Sequence, residues 1–219
     1  MSTRPQGTSA GIERAVEQAL AGLAPSCLVV GCRRIQAGDE QYLLPEENAS
    51  MATREPGARA ATGAGRHIAH ELLRRLECRE PAILRGQSGN PVWPAGIVGS
   101  IAHDDEMAVA VAARSDALKS VGVDIEPALP LPHDLRAVVA APEDRLGDLD
   151  PNLGDRILFA VKEAAYKASF PLDGRVLGFE DIAVDFEKGE AVTSFGQRLT
   201  VRFAASPHIL AIAYTASER

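Results

Sequence analysis

Val121-Gly122-Val123-Asp124-Ile125-Glu126 decides how this 219-residue chain is read. Apolar residues alternate with the rest of the hexapeptide, so a β-strand sends Val121, Val123 and Ile125 to one face and Asp124 and Glu126 to the other. Two carboxylates one strand step apart then point the same way. They make either the solvated acidic face of a half-buried strand or a pair of hard oxygen ligands for a divalent cation beside substrate phosphates. The hexapeptide alone leaves both readings open.

Upstream of it, Met107 to Ala113 is a second strand-like run, and the turn between them at 114–119 predicts a hairpin. Gly99-Ser100-Ile101-Ala102-His103 leads into that run. Its hydroxyl and imidazole suit a phosphate at a loop mouth, or they are merely solvated. Pro91-Val92-Trp93-Pro94 holds the single tryptophan, expected to plug the core beneath a Gly- and Pro-rich loop over 85–99. Earlier still, Ile68, Ala69, Leu72, Leu73 and Leu76 recur at helical spacing, which predicts an amphipathic helix over 58–76. Arg59 and Arg66 lie two turns apart on it and share a face, as an anion site or as a solvated basic stripe. With Arg54 they allow a local basic patch. A helix over 12–23 and a short strand over 27–30 open the chain.

Downstream, a polar, Pro-containing stretch fills 127–152, a helix follows over 155–169, and strand-like runs at 181–186, 191–195, 198–204 and 208–215 predict antiparallel sheet. Within that helix, Phe159-Ala160-Val161-Lys162-Glu163-Ala164-Ala165-Tyr166-Lys167 sets Glu163 and Lys167 four apart. That spacing is an ordinary surface ion pair worth ~0.3–0.5 kcal/mol. Alternatively, if the helix crosses the strand, Glu163 is a third carboxylate for a cation and the lysines neutralise phosphate oxygens. Pro45-Glu46-Glu47 and Pro142-Glu143-Asp144 each precede a long helix, and a shift of 97 residues brings Arg66 onto Glu163. A proline beside acids also simply starts helices. As a repeat, it predicts two similar α+β halves packed face to face with a pocket between them.

Composition sets outer bounds. With 46% hydrophobic and 24% charged residues the chain can bury a sizeable core. No apolar run reaches the roughly 20 residues that span a bilayer, and the first residues lack a secretory segment, so a cytoplasmic protein without a membrane span is expected. Cys27, Cys32 and Cys78 include no C-x-x-C pair and suit small buried thiols in a reducing compartment. A net charge of −7 argues against a nucleic-acid partner.

In order, Leu44-Pro45-Glu46-Glu47, Arg59 through Gly65-Arg66, Pro91-Val92-Trp93-Pro94-Ala95-Gly96, Gly99 through His103, Gly122 through Glu126 and Phe159 through Lys167 resemble the 4′-phosphopantetheinyl transferase superfamily. The resemblance is to its monomeric, two-lobed branch, which includes the enterobactin-synthase-associated and surfactin-type enzymes, and spans roughly residues 42–171. It implies an α+β fold of two pseudo-twofold lobes, each a small antiparallel sheet with a long helix, with coenzyme A in the cleft between them. The lobes would be 1–116 and 117–219. It implies transfer of the 4′-phosphopantetheine group of coenzyme A to a serine of an acyl or peptidyl carrier protein, with release of 3′,5′-ADP. Secondary metabolism (nonribosomal peptide, polyketide or siderophore) is the implied setting.

The same resemblance implies roles. Asp124, Glu126 and Glu163 would hold Mg²⁺, with Mn²⁺ equally suited to such oxygens, and Glu163 would take the serine's proton. His103, Lys162 and Lys167 would contact the phosphates of coenzyme A, Arg59 and Arg66 its nucleotide end, and Arg85 more loosely the same ligand. The chain departs from the family pattern at Ala61, where an acid is frequent, at Ala102, where a hydroxyl residue is usual, and at Gly89-Asn90, where a basic residue is frequent. Two rivals share these residues: a catalytically silent coenzyme A- or nucleotide-binding module, and a metal-dependent phosphohydrolase that needs no carrier. A serine hydrolase built on Ser100, His103 and Asp104 lacks the nucleophile-elbow glycines.

Overall fold

The computed structural model describes residues 9–50 and 55–217; Arg54 lies outside them. The elements are α1 (Ser9–Leu23), β1 (Val29–Arg34), α2 (Pro45–Ala49), α3 (Pro56–Arg75), β2 (Leu84–Arg85), β3 (Pro91–Val92), β4 (Ile97–His103) and β5 (Met107–Arg114). They continue as β6 (Leu118–Pro127), α4 (His133–Val139), α5 (Gly154–Asp173), β7 (Ile182–Asp185), β8 (Glu190–Thr193), β9 (Arg198–Ala204) and β10 (His208–Ala216). The strands form a three-stranded sheet, β1-β5-β4, a five-stranded sheet, β6-β10-β9-β8-β7, and the small ribbon β2-β3. Every pairing in them is antiparallel, and the fold is α+β.

The hairpin expected between β5 and β6 does not form. β5 pairs with β1 on one edge and β4 on the other, while β6 pairs with β10. Met107 to Ala113 is buried throughout, so this strand is the centre of its sheet and has no free edge to offer. The turn at 115–117 therefore carries the chain from one sheet into the next.

The alternation read in β6 divides two cores. Val121, Val123 and Ile125 join Val109, Val111 and Ile212 in a cluster that α1 closes with Val16 and Leu20. On the opposite face α5 lies directly on the strand. A Cβ placed on Gly122 would stand 2.0 Å from the carbonyl oxygen of Ala164 and 2.7 Å from the amide of Ala168. Ala160, Ala164, Ala165 and Ala168, all fully buried, give α5 the narrow face that such an approach requires. α3 covers the other sheet in the same way, with Ile68, Ala69, Leu72 and Leu73 buried against Ala108, Ala110 and Ala112.

The faint repeat has a structural counterpart. α3 and α5 each run for 20 residues and begin 98 positions apart, at Pro56 and Gly154. Glu47 accepts the backbone N–H of Leu44, three residues back, and that of Ile83 just ahead of β2. Asp144, 97 positions later, accepts the N–H of Ala141, also three residues back, and that of Val184 in β7. Each acid also meets a basic side chain from the long helix of its own half: His70 and Arg66 for Glu47, Lys162 for Asp144. The second motif makes this anchor from a turn rather than a helix start.

Gly122→Ala should destabilise the protein by about 3 kcal/mol, because the added methyl meets helix backbone, which cannot rotate away. Thermal unfolding would register this as a Tm lower by roughly 10 °C.

Candidate active site

A cleft of about 430 Å³ opens between β4 with its preceding loop on one side and β6 with α5 on the other; Trp93, Ser100, Ile101, Val121, Tyr166 and Lys167 are among its walls. Trp93 does more than fill the core. Its ring lies over Gly99, where a Cβ would come within 2.5 Å, and it packs on the α3 cluster while also walling the cleft.

At one end of this cleft the close contact of α5 with Gly122 brings Glu163 and Lys167 beside Asp124. Lys167 Nζ donates to Asp124 Oδ1 at 2.5 Å and to the carbonyl of Val123 at 3.3 Å. Asp124 is 5% exposed, and its Oδ2 is buried with no hydrogen-bond partner. Glu126, two residues on, is half-buried and accepts from Arg156 Nη1 at 2.6 Å. Burial raises the pKa of all three acids. The charge of Asp124 raises Glu126 and Glu163 further, while Lys167 lowers Asp124 and Glu163 and Arg156 lowers Glu126. Among the described residues no three acidic, histidine or cysteine side chains are gathered tightly enough to hold a metal as they stand. Lys167 and Arg156 occupy two of the three acids instead. The chemistry nevertheless fits a cation: the donors are all oxygen, one lies unpartnered, and the acids repel one another, which a bound divalent ion would relieve.

The other expected residues separate into two groups. Ser100, 4% exposed, lines the cleft from β4. His103 ends the same strand, exposed, with Nδ1 3.3 Å from the carbonyl of Asp104, and a positive charge on it would act on Asp124. Lys162, expected on a phosphate, points away from the cleft. It is fully buried and its Nζ bonds Asp144 Oδ2 at 2.7 Å and the carbonyls of Val139 and Phe179 at 2.9 and 3.0 Å. One residue from Glu163 on a helix is a 100° turn, enough to change sides. Arg66 is likewise internal, 6% exposed, with Nε donating to the carbonyl of Ile83. Arg59, half-buried, donates to Asn48 Oδ1 on α2. Arg85 is exposed on β2, its guanidinium over Gly89. The expected single basic face of α3 is thus split, and none of these three arginines walls the cleft. Cys27, expected to be buried, is exposed, and all three cysteines are free thiols.

Residues 46–113 match the 4′-phosphopantetheinyl transferase N-terminal domain, and residues 120–213 match the 4′-phosphopantetheinyl transferase superfamily. The 4′-phosphopantetheinyl transferase Svp of Streptomyces mobaraensis is 35% identical over 192 residues, covering 83% of this chain and 76% of that protein. The chain belongs to the 4′-phosphopantetheinyl transferase superfamily. Two further members of the superfamily are similar over shorter stretches. PptT of Mycobacterium tuberculosis is 41% identical over 149 residues, 66% of this chain and 65% of that protein. Npt of Nocardia iowensis is 42% identical over 125 residues, 56% of each. The chain thus spans less than two-thirds of the length of these last two relatives. The superfamily match includes Asp124, Glu126, Glu163 and Lys167 on β6 and α5.

Sequence reasoning passed over Arg156, which engages Glu126, and the pair Asp104–His208. Arg156 carries a legible signal: it lies seven residues before Glu163 and so two turns away on the same side of α5. His208 has no such signal, because it reaches the site only through the pairing of β10 with β6.

Two outcomes follow from this geometry. Lys162→Met should lower stability by about 3 kcal/mol, leaving Asp144 buried without its cation, while coenzyme A binding per folded molecule stays within twofold. Thermal unfolding with calorimetric titration checks this; weaker binding at unchanged Tm would return Lys162 to the phosphates. The second concerns Glu163, whose raised pKa makes the folded state hold its proton more tightly than the unfolded state. That contribution is present below the usual 4.5 and is lost as pH rises through the higher folded value. Without divalent ions, Glu163→Gln should therefore gain stability over the parent as pH rises to neutral, and lose that gain below about 4. Parallel thermal scans measure the difference.

Proposed function

We propose that this chain transfers the 4′-phosphopantetheine group of coenzyme A to a serine of an acyl or peptidyl carrier protein, dependent on Mg²⁺ and releasing 3′,5′-ADP. The observation that carries this reading is the contact across Gly122, which sets Glu163 and Lys167 of α5 beside Asp124 at the end of a cleft. The names of the relatives support the same activity. We further propose that the chain acts as a monomer, with lobes at 1–116 and 117–219 and the ligand between them.

In this mechanism Asp124, Glu126 and Glu163 would hold the Mg²⁺, for which Mn²⁺ could substitute. When bound, the ion offsets charge on the diphosphate oxygens. Asp124 would offer its unpartnered Oδ2 and Glu126 would turn from Arg156 towards the ion, so that Arg156 and Lys167 could face phosphate oxygens. His103 and Ser100 reach the same group from β4. Glu163 takes the proton of the attacking serine, and its raised pKa strengthens it as a base. As the serine oxygen bonds the β-phosphorus, the bond to the bridging diphosphate oxygen breaks, and 3′,5′-ADP leaves with that oxygen. Lys167 faces the charge that develops on it. Arg59 and Arg85, towards the surface of the N-terminal half, serve the nucleotide end, while Arg66 acts from within that half by fixing the chain at Ile83.

Intact mass of an apo carrier protein tests this after incubation with the protein, coenzyme A and Mg²⁺. The expected result is a gain of one phosphopantetheinyl group, abolished by EDTA and by Asp124→Ala. Coenzyme A binding with no gain on several unrelated carriers would assign the silent binding module instead. Consumption of coenzyme A without a modified carrier would assign the phosphohydrolase.

A further inference from the structure

Asp104 follows His103 at the turn from β4 into β5, and all of its polar groups are used. Oδ1 accepts the N–H of Glu106 at 2.8 Å and of Met107 at 2.7 Å, fixing the turn, and its backbone carbonyl meets the ring of His103. Oδ2 faces Nε2 of His208 at 3.2 Å. His208 opens β10, opposite Pro127, and the next residue, Ile209, pairs with Glu126. The carboxylate and the imidazole thus join the end of the strand that presents His103 to the strand pair that presents Asp124 and Glu126. Both side chains are about nine-tenths buried, at 9% and 11% exposure. Nδ1 of His208 is buried without a hydrogen-bond partner, so Asp104 is the polar anchor of that ring. Burial raises the Asp104 carboxyl, and the bonds from His208, Met107 and Glu106 outweigh it and hold the group below its usual range. The polar atoms of both side chains are spent on each other and on the turn, or are buried, so neither is placed to touch the ligand.

We propose that Asp104 and His208 form a positioning clasp across the two sheets. It sets the register between His103 on β4 and the carboxylates on β6, so that both meet one diphosphate. The clasp rests on the reading of the site as one for coenzyme A with a divalent ion, but it does not require that transfer occur. A hydrogen-bonded pair buried between two elements couples them: loss of either partner frees both, and loss of the second adds little.

The test is a double-mutant cycle on coenzyme A binding in the presence of Mg²⁺, by calorimetry, using the full chain. Asp104→Ala and His208→Phe should each weaken binding about tenfold, and the double variant should also lie about tenfold down. His208→Gln, which keeps an N–H donor towards Asp104, should bind within about threefold of the parent. Binding of 3′,5′-ADP without Mg²⁺ does not need His103 and the β6 carboxylates to meet on one metal-held diphosphate, and should stay within about twofold in every variant. General destabilisation would instead weaken both ligands together. Additive losses, equal losses for the two ligands, or a His208→Gln variant as poor as His208→Phe would each overturn the clasp. A parent protein that binds Mg²⁺–coenzyme A but modifies no carrier would sink the transferase reading and leave the clasp standing. A parent that binds no coenzyme A would sink both.

Discussion

The structure depends on one close approach, that of the α5 backbone to Gly122 of β6. A helix normally keeps its axis about 10 Å from a sheet because side chains lie between them. Here the strand offers hydrogen and the helix offers alanines, so the two backbones meet. The consequence is chemical as well as mechanical. Glu163 and Lys167, which flank the contact on α5, are pressed against the residue two steps along β6, and Asp124 loses nearly all contact with water. Burial then raises the pKa of three neighbouring carboxyls at once, a condition that costs stability unless positive charge is supplied.

Two basic side chains supply it here. Lys167 engages Asp124 and Arg156 engages Glu126; in the proposed mechanism a divalent ion would take their place. Such an exchange would suit a site whose ligand brings its own negative charge, because the displaced lysine and arginine would then face phosphate oxygens. Internal ion pairs offset two of the three carboxyls, and in the proposed mechanism a cation together with a diphosphate would take their place.

The buried acids Glu47 and Asp144 show how the two sheets acquire comparable support. Each ties a preceding backbone amide, a strand-side amide and a basic side chain of the long helix in its own half. Buried charges of this kind are costly unless fully bonded. Lys162 meets that requirement with one carboxylate and two carbonyls, which is why a residue adjacent to Glu163 belongs to the core instead of the cleft.

Local periodicity alone determined most of the elements. The apolar spacing of α3 and the four strands near the C-terminus appear within a residue or two of their expected bounds, and β6 begins three residues earlier than the alternation that announced it. Asp124 and Glu126 on a common face, and Glu163 and Lys167 one turn apart, were equally legible, since both spacings follow from backbone geometry. Partner choice was not. Nothing local tells β5 to pair with β1 and β4 and leave β6 to β10, because pairing is settled by which edges are free once every strand has been placed. The split between Arg59 and Arg66, the inward turn of Lys162 and the arrival of His208 opposite Asp104 were decided only in the tertiary structure. A side chain's type is written in the sequence, but whether it meets solvent, core or ligand depends on what long-range packing lays against it.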